Sequence, residues 1–200
     1  MNRILAVMAL AIAMSSASAV AAPSIGQPAP AFTAVDSNGK SRALADFKGK
    51  IVVLEWTNDG CPYVRSHYNA GNMQKVQQDL TAAGAIWLSI ISSAPGKQGY
   101  VNGAQANELT ATRAAHPTAV LLDPTGTVGR AYEAQTTPHM FVIDKAGILR
   151  YMGAIDDQPT PDRSAMASAR NYVREAFAAV SAGKKVAEPA TDSYGCSVKY

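Results

Sequence analysis

Two sulfurs carry most of the chemical potential of this sequence. Cys61 follows the apolar run Ile51-Val-Val-Leu-Glu-Trp56 and the polar turn Thr57-Asn-Asp-Gly60, and Pro62 comes directly after it. Proline suits the first helical position, where its missing N–H would be unpaired anyway. The Cys61 thiol is therefore expected at a helix N-terminus, where free backbone N–H groups and the positive end of the helix dipole favour the thiolate, the reactive form. Arg65, one turn later, would add to this effect and Asp59 would oppose it; an outward-facing Arg65 is the ordinary alternative. The only other cysteine is Cys196, near the C-terminus.

The chain from Gly183 to Cys196 can extend roughly 40 Å, and a domain of this size has a radius of gyration of about 15 Å. Reach therefore permits a Cys61–Cys196 pairing. In the chain-entropy model, closing that loop of about 135 residues would stabilise the fold by about 5 kcal/mol. A bridge that merely staples the tail and a bridge that exchanges electrons both stay open. The remaining polar candidates are weaker. Cys61 with His67 or His139 lacks a second cysteine for a metal, so neither a metal nor another cofactor is expected, and His116 has no evident role. Asp156-Asp157 is read as an exposed turn or a helix approach, and Trp56, Trp87 and Tyr63 as core or site-wall aromatics.

The elements that must position these residues can be placed by pattern. Ile51 to Trp56 and Ala85 to Ile91 are continuous apolar runs, as strands buried on both faces require. Between them a helix begins at Pro62 and stops at Gly84, with Gly71 and Asn72 weakening its middle, where a kink or a break can form. Ala31 to Val35 with the turn Asp36-Ser-Asn-Gly39 makes a hairpin, with Leu44 and Phe47 beneath it. Ser92 to Gly103 is a loop, Ala104 to Ala115 a weak helix, and Thr118 to Leu122 a strand. A helical turn over Val128 to Tyr132 leads to Thr137-Pro138. The hairpin Met140–Ile143 and Ile148–Met152 closes on Asp144-Lys-Ala-Gly147. One last helix is expected over Asp162 to Ala182, followed by a tail. The order gives an α/β, thioredoxin-like fold: a mixed central sheet flanked by helices, with an N-terminal hairpin and an inserted strand-helix unit.

Composition and the N-terminus set the address. Met1-Asn-Arg3, the apolar Ile4 to Met14 and the small residues to Ala22 read as a signal peptide over residues 1–21, giving a periplasmic or secreted mature protein. The domain proper is then 22–183 and the tail 184–200. The apolar run is well short of the roughly 20 residues a membrane span needs, so no membrane association is expected after cleavage. A net charge of +3, spread along the chain, excludes the basic footprint of a nucleic-acid binder. An oxidising compartment allows the two cysteines to persist as a disulfide.

The stretch Glu55-Trp-Thr-Asn-Asp-Gly-Cys-Pro-Tyr-Val64, with Ser92-Ser-Ala-Pro-Gly-Lys-Gln-Gly-Tyr100, Thr136-Thr-Pro-His139, Gly153-Ala-Ile-Asp-Asp157 and Gly195-Cys-Ser-Val-Lys-Tyr200, resembles the peroxiredoxin-like (redoxin, AhpC/TSA-like) branch of the thioredoxin superfamily. The resemblance covers nearly all of the mature chain. It implies that Pro138 is cis and that its loop lies against Cys61. It also implies a thiol-disulfide oxidoreductase with Cys61 as nucleophile and Cys196 as the resolving sulfur, and with Thr137, Pro138, Pro62 and Arg65 lining the substrate site. Protein or small-molecule thiols and disulfides would be the partners, with an unknown electron donor. The sequence departs from the pattern in two places. Val64 stands where thioredoxins carry their second cysteine, and Leu54 and Asn58 stand where peroxiredoxins carry the Pro and Thr/Ser that activate peroxide. Thiol peroxidase activity and a non-catalytic binding module with a structural disulfide are the alternatives.

Overall fold

Five consecutive buried residues, Val52 to Trp56, form the strand that leads to Cys61. The structure, a computed structural model, describes residues 22–200; the expected signal peptide lies outside the described residues. The chain runs β1 (Thr33–Asp36), β2 (Ser41–Ala43), β3 (Val52–Trp56), α1 (Pro62–Asn69), α2 (Asn72–Ala82) and β4 (Ile86–Ile91). It continues through α3 (Gly103–Thr112), β5 (Ala119–Leu122), α4 (Thr127–Ala131), β6 (Thr136–Thr137), β7 (His139–Ile143), β8 (Leu149–Gly153), α5 (Tyr172–Ser181) and β9 (Cys196–Ser197). Seven strands form one mixed sheet in the order β2-β1-β5-β4-β3-β7-β8, and β6 pairs separately with β9.

β3, β4 and β5 are parallel, while β7 and β8 on one side and β1 and β2 on the other are antiparallel to their neighbours. Side chains alternate across the sheet. Val53, Trp87, Met140 and Tyr151 meet Val64, Met73 and Val76 of α1 and α2 and Val173 of α5 on one face. Leu54, Trp56, Leu88, Tyr132 and Phe141 pack with Phe32, Phe47 and Val128 on the other. Each buried Leu, Val or Phe contributes roughly 1.5–3 kcal/mol relative to an exposed one, so both faces anchor β3 firmly. This is the expected thioredoxin-like arrangement.

The helix after Cys61 breaks where the sequence indicates. Gly71 takes a left-handed conformation (φ +72°) that a β-carbon disfavours, and α2 restarts at Asn72. The last helix departs from expectation. Asp162 caps only a short 3-10 turn, Arg163–Ala167, and the chain then crosses to Asn171, whose side chain caps α5 by accepting from the Arg174 amide at 2.9 Å. Two caps of equal quality within ten residues make two elements, not one. Among the described residues, no helix is long and apolar enough to cross a membrane.

Candidate active site

A turn built on Asn58 aims Cys61. The Asn58 side-chain oxygen accepts from the Gly60 amide at 2.8 Å, its carbonyl accepts from the Cys61 amide at 3.1 Å, and its amide nitrogen donates to the Gln98 carbonyl at 3.2 Å. Cys61 is the N-cap of α1, with extended backbone (φ −81°, ψ 123°) and Pro62 opening the helix. Beneath the turn lies Glu55, fully buried. Its carboxylate accepts from Tyr68 Oη at 2.9 Å, Gln77 Nε2 at 3.0 Å, Trp87 Nε1 at 2.8 Å and Ser89 Oγ at 2.8 Å. Four donors compensate the loss of water around the acid and tie β3, β4, α1 and α2 together under the site.

The Thr137–Pro138 peptide bond is cis, and the Cys61 thiol donates to the Thr137 carbonyl at 3.1 Å. The tail closes over this pair. β9 lies antiparallel to β6, with Cys196 opposite Thr137 and Ser197 opposite Thr136. Upstream, Thr191 bonds Met152 of β8 through its amide (3.1 Å) and the Ala154 amide through its hydroxyl (3.0 Å). Downstream, the Val198 amide donates to Gln135 at 2.9 Å and the Lys199 carbonyl accepts from Ala94 at 2.8 Å. Finally, Tyr200 donates to the Ala134 carbonyl at 2.8 Å with the Arg130 guanidinium 4.3 Å over its ring. As a result Cys61 is 0% exposed although it sits at the helix mouth, and Cys196 remains partly exposed.

Gly195 makes this approach possible. Its φ is +124°, and a β-carbon there would overlap the Thr137 carbonyl. Gly195→Ala is expected to lift the tail and raise the rate of Cys61 alkylation several-fold; an unchanged rate would show that the tail does not shield the sulfur.

The two sulfurs are electrically unlike. Burial by itself pushes the Cys61 thiol up, but contacts from the Cys196 thiol and amide, the Val64 amide and the Thr137 hydroxyl outweigh it, so its pKa lies below the ordinary cysteine value. The Val64 amide faces the sulfur without reaching hydrogen-bond geometry. Cys196 moves the other way, to about 11, through burial and through giving its proton to the bond with Cys61. Of the two sulfurs, Cys61 is therefore the one that ionises more readily.

The AhpC/TSA family model matches residues 25–152, well over half of the chain. The chain belongs to the AhpC/TSA family. No curated protein matches it. Among solved structures, this AhpC/TSA chain is similar to an uncharacterized conserved protein from Geobacillus kaustophilus, at 23% identity and TM-score 0.75, over 88% of this chain and 92% of that one. A hypothetical protein from Sinorhizobium meliloti gives 25% identity and TM-score 0.76, over 88% and 94%. A candidate thiol:disulfide interchange protein, DsbE, from Chlorobium tepidum gives 24% and 0.52, over 65% and 84%. These likenesses establish the thioredoxin-like fold.

Within this AhpC/TSA chain, Cys61, Pro62, Thr137, Pro138 and Cys196 come together, but Arg65 does not join them. Its guanidinium turns to Asp59, donating to that residue's carbonyl at 2.6 Å, and Asp59 is also bonded by Arg113. Asp59 is thus paired rather than facing the thiol. Leu54, at the family's proline position, is buried in the opposite core, and Asn58 is spent on the turn. His67 and His139 are buried, and His116 is exposed, its amide donating to Gln77 at 2.8 Å. Asp156, expected in an exposed turn, is 1% exposed, because its carboxylate is drawn inward by Tyr194. Glu55 and Tyr194 are site-supporting residues that the sequence did not mark, and Asn58, noted there only as a departure from the peroxiredoxin pattern, proves to build the turn; for Tyr194 the only local signal is an aromatic two residues from Cys196.

Proposed function

We propose that this chain is an exported thiol-disulfide oxidoreductase in which Cys61 and Cys196 are the exchanging pair. The observation that carries this reading is that β9 sets Cys196 opposite Thr137, the residue of the cis-proline loop whose carbonyl accepts from the Cys61 thiol, with the pKa values of the two sulfurs driven apart. The Cys61 thiolate attacks a substrate disulfide RS–SR′, forming a Cys61–SR bond and releasing R′S⁻. Cys196 then gives up its proton to the released thiolate and attacks Cys61, closing the Cys61–Cys196 bridge and expelling RS⁻. The protein is oxidised by two electrons and the substrate is reduced, and an external thiol reverses the cycle. Because the tail covers Cys61, the first step requires the tail to lift.

Hydrogen bonds at Thr191, Val198, Lys199 and Tyr200 seat the tail on either side of Cys196, which weighs against a bridge whose only task is to staple it. Peroxide chemistry gains little support from Leu54 and Asn58, neither of which offers the family's activating hydroxyl. Export rests on the N-terminal apolar segment and is checked by fractionation of cells making the full chain.

Glutathione disulfide with the separate variants tests the exchange. Wild type is expected to form the internal bridge, Cys196→Ser to stall with glutathione on Cys61, and Cys61→Ser to lose exchange through this route. If wild type stays reduced in excess oxidant, or if Cys61→Ser reacts at the wild-type rate, the proposal fails.

A further inference from the structure

A buried polar cluster beside the sulfur pair is not used by the exchange chemistry. His67 is 0% exposed and Asp156 is 1% exposed, yet both face Tyr194, which lies in the tail two residues before Cys196. The cluster has one consistent direction of hydrogen bonding. Asn72 Nδ2 donates to His67 Nδ1 at 2.9 Å, which leaves the ring proton on Nε2. His67 Nε2 lies 3.1 Å from Tyr194 Oη and donates to it, and Tyr194 in turn donates to Asp156 Oδ1 at 2.5 Å. The other carboxylate oxygen, Oδ2, finds no partner among the described residues and sits 4.0 Å from His67 Nδ1. The ring of Tyr194 packs 5.8 Å from that of Tyr63, on the first turn of the helix that Cys61 caps.

We propose that Tyr194, through Asp156 and His67, is the positioning residue that holds the tail over Cys61 and sets the effective concentration of Cys196 at that sulfur. The bond to Asp156 is charge-assisted and buried, which makes it stronger than the neutral backbone contacts elsewhere along the tail. The anchor stands next to the reactive residue, so its release acts directly on Cys196, whereas Tyr200 holds the far side of β9. Asp156 Oδ1 also accepts from the Gln158 amide at 3.1 Å, which fixes the carboxylate on its own loop, and Tyr194 adds the one donor that comes from the tail. The tail thus behaves as a tethered occupant of the cis-proline loop, and the tether's grip tunes how readily the bridge closes.

The latch is tested on Tyr194→Phe and, from the other side of the same bond, Asp156→Asn. In the reduced proteins, amide hydrogen exchange at residues 195–198 is expected to rise about fivefold or more while β3 and β4 keep their protection. This arm does not need the sulfurs to react. Equilibration with glutathione buffers is expected to shift the Cys61–Cys196 couple toward the dithiol by about fivefold, which is about 20 mV for a two-electron couple. The second arm rests on the exchange reaction proposed above, so a wild-type protein that forms no bridge would sink that reaction and leave the hydrogen-exchange arm to judge the latch. Unchanged tail exchange overturns the latch, and so does a rise that extends equally through β3 and β4, because the tyrosine would then be a general stabilising contact.

Discussion

Replacing Cys196 by alanine is expected to raise the pKa of Cys61 by about one unit or more, cutting the thiolate present at neutral pH about tenfold. The sign follows from the balance at the sulfur. Burial, the largest influence, favours the neutral thiol, and it is overcome only by a set of donors in which the Cys196 thiol comes first. The substitution removes that thiol and leaves the burial and the Thr137 and Val64 contacts in place. A hydrogen bond to a charged acceptor contributes about 1.5–3 kcal/mol, and one pKa unit corresponds to about 1.4 kcal/mol. Thiolate absorbance near 240 nm reads the titration directly. Wild type should show two steps, the first below the ordinary cysteine value and the second, from Cys196, at about 11. Cys196→Ala should show a single, higher step. A single step at or below the first wild-type step would mean that the helix terminus alone sets the Cys61 acidity. The measurement therefore separates two sources of reactivity that the sequence presents as one.

That distinction bears on what could be read from the residues alone. β3, β4 and β7 are legible because strands buried on both faces are continuous apolar runs, and α1 is legible because Pro62 and Gly71 mark its start and its break. The pairing of Thr137-Pro138 with Cys61 follows once the fold is recognised, since a parallel β3–β4 unit and a β7–β8 hairpin bring the two loops to the same end of the sheet. The tail is different. Its partners are Met152, Asp156, Gln135, Ala94 and Arg130, scattered over more than sixty positions and contacted largely through backbone groups that have no sequence signature. Asp156-Asp157 looks like a solvated pair for the same reason: the hydroxyl that buries Asp156 comes from a residue 38 positions away. The helix expected from Asp162 to Ala182 illustrates a third limit. Its apolar spacing persists through a region where Asn171 restarts the chain, and periodicity does not register a cap. Arg65 shows a fourth. Helical spacing places it one turn beyond Cys61, but a nearer carbonyl and carboxylate at Asp59 take its guanidinium.

The residue after the cis-proline carries the largest pH effect. His139 is 8% exposed, its ring lies 4.6 Å from that of Phe141, and its Nδ1 accepts from the Gln135 amide at 3.3 Å. Burial lowers its pKa to about 4 from an ordinary value of 6.5. A folded-state pKa below the unfolded value means that the unfolded chain takes up the proton first as pH falls. The contribution is therefore fully present above about pH 6.5, declines through the interval below it and is lost at about pH 4. The difference corresponds to about 3 kcal/mol, more than a hundredfold in the folding equilibrium. His67 is lowered by burial in the same direction, opposed by the Asp156 carboxylate, so wild type should lose stability through both rings. His139→Gln isolates one of them, since the amide oxygen can still accept from Gln135 but carries no titrating group. Urea unfolding at pH 7 and pH 4.5 is expected to show a wild-type loss larger than the variant's by about 2–3 kcal/mol. Parallel losses would mean that His139 is hydrated and titrates normally in the folded chain. The consequence for the site is direct: His139 follows Pro138, β7 starts at His139, and the carbonyl that receives the Cys61 thiol is only two residues away. The same ring accepts from the amide of Gln135, the residue whose carbonyl receives the Val198 amide of the tail, so the group that titrates touches the tail's own support.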